Sequence, residues 1–434
     1  MRSTESKREK LALVLSGGGL RSAAQIGVLK VLARYGIKPD CVVGTSGGAV
    51  VAALYASGLT PAEIEERYLA IIGKEGRFID IALGRLWKAL IKLDLTEVKG
   101  LVKGAKLRRY IHKNLRYLKH FQDYRTLSPK QAEQVLDLYL TAVDINDGTE
   151  VVFAPGKGQL IAGYGPGFSG FRLISDISVA DAVRCSIGIP GVFEPYRYKG
   201  HYYVDGGLRD NLPLGVAVKL AGADRVIAVD LGYAGLRQEN LVDNGVIDIL
   251  GQSVDIMSMD QLAADLQDNV VREKPIVILN PLIYDIGILD TQYIPAIIKR
   301  GEFLAETYCH SKGLEADFSP QKNSALFFTG VNQPVLYPAK ESSVYVVLRK
   351  QITAGAGDAG KEEQVGWWQR LEGSIEGLWR KVMVGLSLCF VGLGLFLVWS
   401  EPAVIQGLGL FFVFAGLVTL YYQHVKSRNY RINS

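Results

Sequence analysis

Short apolar runs alternate with amphipathic stretches along the first three quarters of the chain. Leu11–Leu15 and Cys41–Val43 are uninterrupted apolar runs, the pattern of strands buried on both faces. Ala23–Tyr35 carries Ile26, Leu29, Val31 and Leu32 on a helical face and stops at Gly36. Gly48–Ser57 is rich in Ala and apolar residues and reads as a buried helix. Thr60 and Pro61 read as the cap and first position of another, opening a mostly helical stretch to Arg125. Strands are predicted again at Asp137–Asp144, Glu150–Ala154, Tyr202–Val204, Ala223–Leu231 and Pro275–Leu279. Helices are predicted at Ser178–Ser186, Val242–Asn269 and Pro295–Ser311, and a Gly/Pro-rich loop at Gly156–Gly170. Strand and helix in alternation predict an α/β domain over residues 11–318, with a mostly parallel sheet and helices on both faces.

The pattern changes beyond Ser319. Residues 319–361 read as a small appendage, with strands at Ala325–Thr329 and Val344–Lys350, and a Gly-rich linker. Residues 362–381 set Trp367, Trp368, Leu371, Ile375, Leu378 and Trp379 among charges, which suits an interfacial helix. Val382–Ser400 and Ala403–Tyr422 are each about twenty residues without a charge, long enough to span a bilayer. Glu401-Pro402 joins them, so residues 382–422 predict a transmembrane helical hairpin. Basic residues flank both spans and are absent from the turn, which predicts cytoplasmic ends. Residues 1–10 are a polar tail, and the five-residue run after Lys10 is short for a signal peptide. The expectation is a catalytic domain on the cytoplasmic face of a bacterial inner membrane, ended by a basic tail at 423–434.

Composition supports a membrane segment. Hydrophobic residues make up 48% and mean hydropathy is +0.14, high for a purely soluble enzyme. The four cysteines are dispersed, with no C-x-x-C, and read as buried free thiols. Net charge is +5, yet residues 85–125 alone hold twelve Lys or Arg against three Asp or Glu. That stretch is either a pair of helices with solvated basic faces or a surface for anionic head groups. Nucleic acid is not expected, because no binding module is recognisable. Neither a metal cluster nor a cofactor is expected.

Three glycine-rich turns carry the candidate chemistry. Gly44-Thr45-Ser46-Gly47-Gly48 is a G-x-S-x-G between a predicted strand and a predicted helix, the context of a nucleophile elbow. Ser16-Gly17-Gly18-Gly19-Leu20-Arg21-Ser22 follows the first strand and can turn backbone N–H groups onto an anion, a phosphate or an oxyanion. A dinucleotide reading fails on Ser22, where that fingerprint needs glycine, and on Asp40, which precedes the second strand rather than ending it. Asp205-Gly206-Gly207 ends a short strand and suits either a catalytic carboxylate or an Asx-type turn.

With these residues in hand, the chain resembles the patatin-like phospholipases. Gly17 to Ser22 matches the family's G-G-G-x-R-G loop, Gly44 to Gly48 its elbow, and Asp205 to Gly207 its D-G-G/A. Cys185 to Pro195 matches a small-Ser-x-x-x-Pro-x-x-F-x-P segment. The likeness runs over roughly Leu11 to Cys309, and departs at Ser22 for glycine and at Gln25 for a frequent histidine. The resemblance implies a three-layer α/β/α fold and a Ser46–Asp205 dyad, with the oxyanion held by the loop Gly17, Gly18, Gly19 and Arg21. It implies a phospholipid or other lipid ester as substrate. Four alternatives stand beside it. One is a Ser-His-Asp hydrolase, with His310 as the histidine that follows Asp205 or with His201, about 13 Å from Asp205 along the strand. The others are a catalytically silent lipid-binding or scaffold protein, an esterase of soluble short esters, and the dinucleotide enzyme.

Overall fold

The computed structural model describes residues 8–73, 80, 99–156, 159–161, 171–232, 246–283, 286, 291–311 and 325–328. The predicted interfacial helix, both predicted spans, the strand at 344–350 and the basic segment from 85 to 98 lie outside the described residues. Among the described residues no helix is long and apolar enough to cross a membrane.

Among the described residues eleven strands form one sheet. They are β1 (Leu11–Leu15), β2 (Cys41–Gly44), β3 (Asp137–Asp144), β4 (Glu150–Phe153), β5 (Gln159–Ile161), β6 (Phe171–Ile174), β7 (Tyr196–Tyr198), β8 (His201–Asp205), β9 (Arg225–Val229), β10 (Ile276–Leu279) and β11 (Ala325–Phe328). The order is β11-β10-β9-β1-β2-β3-β4-β6-β5, parallel from β11 through to β3. The main helices are α1 (Ala23–Arg34), α2 (Gly47–Ala56), α3 (Pro61–Gly73), α4 (Ala105–Asn114), α5 (Val179–Ser186), α6 (Val246–Gln267) and α7 (Ile294–Ser311). Alternate residues of each central strand enter different cores. Leu13 and Leu15 pack with α1, α2, α5 and α7, while Ala12 and Val14 pack with Leu212, Leu214, Val216 and Leu262 on the other face. The uninterrupted apolar runs therefore belong to strands covered on both sides, giving a three-layer α/β fold.

Local signals set several boundaries. Gly36 takes a left-handed backbone at φ 68° after α1. Thr60 and Glu63 exchange hydrogen bonds at the start of α3. Ser178 accepts from the Asp181 N–H at the start of α5. Two expectations are corrected. Ala325–Phe328 does not belong to an appendage: it pairs in parallel with β10 as the sheet's edge, because an exposed row of β10 donors and acceptors needs a partner. The expected loop at 156–170 contains β5, which pairs antiparallel with β6. Cys41, Cys185 and Cys309 are buried free thiols, and burial pushes Cys41 up to about 12.

The feature that positions the site is a substitution of partners along one edge of β3. Its first half pairs with β2 as far as Gly44↔Leu140, where β2 leaves the sheet. β8 then enters antiparallel along the same edge and ends at Asp205↔Ala142. The end of β2 and the end of β8 thus meet head-on.

Candidate active site

Ser46 stands at that meeting point. Its backbone is at φ 52°, ψ −123°, a left-handed conformation costly for a residue with a Cβ. The surroundings fix it. The Ser46 N–H donates to Ser186 Oγ at 2.9 Å, and the Thr45 N–H donates to Leu15 O at 3.1 Å. Thr45 Oγ1 lies 2.7 Å from Thr141 Oγ1. The turn is tight enough to require glycine after the nucleophile. A Cβ at Gly47 would stand 2.3 Å from Gly19 O, and one at Gly48 would stand 2.4 Å from Leu15 O.

Asp205 faces Ser46. Ser46 Oγ donates to Asp205 Oδ2 at 2.6 Å, and the Gly207 N–H donates to Oδ1 at 2.8 Å. Ser46 is 6% exposed and Asp205 4%. Burial pushes the Asp205 carboxyl up to about 6, against the two hydrogen bonds, which favour the ionised form. A buried carboxylate poised near neutrality, touching a strained serine hydroxyl, is the geometry of a base and its nucleophile.

The Gly-rich loop after β1 lies against the elbow. Here the expected set of oxyanion donors narrows. The Gly17 N–H donates to Asn211 O at 3.2 Å, and the Arg21 N–H donates to Gly18 O at 3.1 Å, so neither can serve an oxyanion. The N–H groups of Gly18 and Gly19 have no acceptor among the described residues. The Arg21 side chain is buried. Its Nε donates to Ile286 O at 2.9 Å and its guanidinium lies 3.4 Å from Asp255 Oδ2, anchoring the loop to α6. The loop's other fastenings are the Gln25 Nε2 bond to Ser16 O at 2.8 Å and the Ser22 Oγ bond to Gly19 O at 2.7 Å.

Neither candidate histidine is near. His201 Nδ1 lies 2.6 Å from Asp144 Oδ2, and Arg172 holds the same carboxylate. His310 is exposed on the last turn of α7, 3.3 Å from the Tyr35 hydroxyl. A cavity of about 420 Å³, lined by Lys10, Asp40, Leu136 and Asp137 among others, opens at the amino ends of β1, β2 and β3, the opposite edge from Ser46.

Sequence reasoning missed Ser186, Asn211, Tyr68 and Asp255. Ser186 lay within the Cys185–Pro195 segment already singled out, and the other three carry no local signature. In the basic stretch, Lys103, Lys106 and Arg109 are exposed, whereas Arg108 pairs with Asp181 at 2.9 Å and belongs to the α4–α5 contact.

Comparison with known proteins shows a family likeness. Residues 13–218 match the family model for patatin-like phospholipase. The human patatin-like phospholipase domain-containing protein 6 is 32% identical over 225 residues, covering 51% of this chain and 13% of the relative. Lysophospholipase NTE1 of Scheffersomyces stipitis is 27% identical over 227 residues, covering 52% of this chain and 12% of the relative. The chain thus matches only about an eighth of the length of these relatives. Among solved structures, VipD from Legionella pneumophila aligns with 70% of this chain and 67% of its own, at 15% identity and a TM-score of 0.39.

Proposed function

We propose, for a chain whose residues 13–218 are a patatin-like phospholipase domain, that it hydrolyses a lipid ester through Ser46 and Asp205 without a histidine. The observation that carries the reading is the 2.6 Å contact between Ser46 Oγ and Asp205 Oδ2. The relatives' names, phospholipase and lysophospholipase, point to a glycerophospholipid or lysophospholipid as substrate.

Ser46 Oγ attacks the ester carbonyl while its proton passes to Asp205 Oδ2. The carbonyl oxygen gains negative charge and is held by the N–H groups of Gly18 and Gly19, with the N-terminus of α2 adding its dipole. The leaving alkoxide takes the proton from Asp205, and the acyl group stays on Ser46. Water then gives a proton to Asp205 and its oxygen to the acyl carbonyl. Collapse returns that proton to Ser46 Oγ and frees the fatty acid. The predicted hairpin at 382–422 would keep this domain beside the membrane that supplies its substrate.

A fluorophosphonate probe tests the nucleophile. Wild-type protein is expected to be labelled at Ser46, and Ser46→Ala to lose both labelling and ester hydrolysis while its circular dichroism spectrum stays that of the folded protein. Labelling at another residue, or full activity in the alanine variant, would overturn the assignment.

A further inference from the structure

The amino-terminal half of helix α6 turns large apolar side chains outward, with Ser253 and Asp260 exposed on the same side. Asp255, Ser258 and Leu262 form its buried face. Ile249, Leu250, Ile256 and Met257 are exposed, Ile256 at 53% and Met257 at 49%. At about 100° per residue these four fall on one side of the helix, opposite the buried three. The inward polar groups are satisfied: Asp255 by Arg21, and Ser258 Oγ by Val254 O at 2.7 Å. The outward stripe has no such account, since solvent gains nothing from four large apolar side chains on one face.

The stripe borders the candidate site. Val254 Cγ1 lies 3.4 Å from where a Cβ on Gly207 would stand, and Leu250 Cδ1 lies 3.6 Å from the same point on Gly191. Asp255 holds Arg21 of the oxyanion loop. Beyond Gly191 the surface continues to Leu101, also exposed, whose N–H donates to Val192 O at 3.0 Å. Lys99, Lys103, Lys106 and Arg109 follow, all exposed. Of the nine exposed large apolar residues among those described, five therefore line this one rim, and a basic fringe adjoins it.

We infer that the outward face of α6, together with Leu101 and that basic fringe, is the surface on which the protein seats on an anionic lipid bilayer. Apolar side chains enter the acyl boundary, and lysine and arginine meet phosphate head groups. A protein partner would match the apolar stripe. A bilayer matches the stripe, the basic fringe and the position beside a nearly closed dyad whose substrate is a lipid. The choice of lipid rests on the proposed activity.

The test uses the full chain, with Cys389→Ser and Ser46→Ala, reconstituted in vesicles of 30% phosphatidylglycerol and 70% phosphatidylcholine. An environment-sensitive fluorophore is attached at Met257→Cys or at Lys38→Cys, which is exposed at the opposite edge of the sheet. Quenching by doxyl-labelled lipid is expected at 257 and not at 38, and weaker at 257 in pure phosphatidylcholine. Equal quenching at both positions, or no quenching at 257, would overturn the inference, the second because the face would then lie away from lipid. With Ser46 intact, Leu250→Ser/Ile256→Ser/Met257→Ser should lose tenfold or more on vesicle phospholipid while a soluble short-chain ester changes less than twofold. An equal loss on both would assign α6 a structural role instead. Quenching at 257 in a protein whose wild type cleaves no ester would leave the docking surface standing and remove the proposed activity alone.

Discussion

The hydroxyl of Ser22 lies 2.7 Å from the carbonyl oxygen of Gly19 and 2.7 Å from the phenol of Tyr68. Ser22 is the residue at which this chain departs from the glycine of the family's loop motif. Both hydroxyls are buried, and burial pushes the Tyr68 phenol up to about 12. Ser22 therefore ties the loop carrying the Gly18 and Gly19 N–H groups to α3, and its Oγ lies 2.8 Å from where a Cβ on Gly47, the residue after Ser46, would stand.

That tie predicts a specific kinetic signature. In Ser22→Ala the Tyr68 hydroxyl keeps only a 3.5 Å approach to Gly19 O. Leaving a buried hydroxyl poorly paired costs about 1–3 kcal/mol, so stability should fall by that order. Loosening the loop should weaken oxyanion stabilisation, which exists only in the transition state. Turnover should drop with little change in KM, and Ser22→Thr should recover part of it. Urea unfolding and steady-state kinetics on a short ester measure both. A raised KM at constant kcat would show that the tie serves binding.

The Asp205 carboxylate is predicted to set the pH–rate profile. It must be ionised to accept the Ser46 proton, and burial holds its pKa at about 6. The rate should climb from pH 5 and level off above pH 7. Asp205→Asn keeps the shape but removes the acceptor, so the rate should fall roughly a hundredfold or more. His310→Ala and His201→Ala should stay near wild type. A profile set by His310, or an unimpaired Asp205→Asn, would restore the histidine alternative.

The glycine motifs made Ser46 and Asp205 legible in the sequence, because a turn that tight tolerates few other residues. The central strands were legible from their uninterrupted apolar runs. What could not be read was pairing. Tyr202–Val204 looked like any short strand, and nothing local told that it would enter antiparallel on the edge that β2 vacates at Gly44. Ala325–Phe328 looked detached because the composition changes before it, yet its partner is β10. Which of the loop's N–H groups stay free could not be read for the same reason. Gly17 and Arg21 belong to the motif, but their N–H groups are taken by Asn211 O and Gly18 O, acceptors that only the folded chain supplies.

Several buried acids predict an unusual stability profile. Burial raises Asp205 and Asp255 to about 6, and it raises Asp210, with repulsion from Glu150 and Asp265 adding to the shift. An acid whose folded pKa lies above its unfolded value contributes stability that is fully present below about pH 4 and is lost as pH rises through about 6. Glu63 and Asp147, lowered by backbone hydrogen bonds, act in the opposite sense and lose their contribution only under more acid conditions. The melting temperature should therefore rise as pH falls from 8 to about 5, and then decline. Asp205→Asn should flatten part of that rise. A melting temperature highest at pH 8 would mean that the buried acids are solvated in solution.

The predicted hairpin would set where the proposed dyad works. Val382–Ser400 and Ala403–Tyr422 each fit a bilayer, and two spans return the chain to the side it left. Trp379-Arg380-Lys381 precedes the first span. His424, Lys426, Arg428 and Arg431 follow the second, and the turn carries Glu401 without Lys or Arg. Positive flanks stay cytoplasmic, and Trp399, Tyr421 and Tyr422 fall where interfacial aromatics sit. The catalytic domain should then share the cytoplasmic face with both ends of the hairpin, tethered through the Gly-rich linker. Truncation after Gly360 should release a soluble protein that still cleaves dispersed esters. A reporter fused after Ser434 should read cytoplasmic. An exported reporter, or a truncated protein that still resists extraction with carbonate, would remove the hairpin and, with it, the cytoplasmic placement of Ser46.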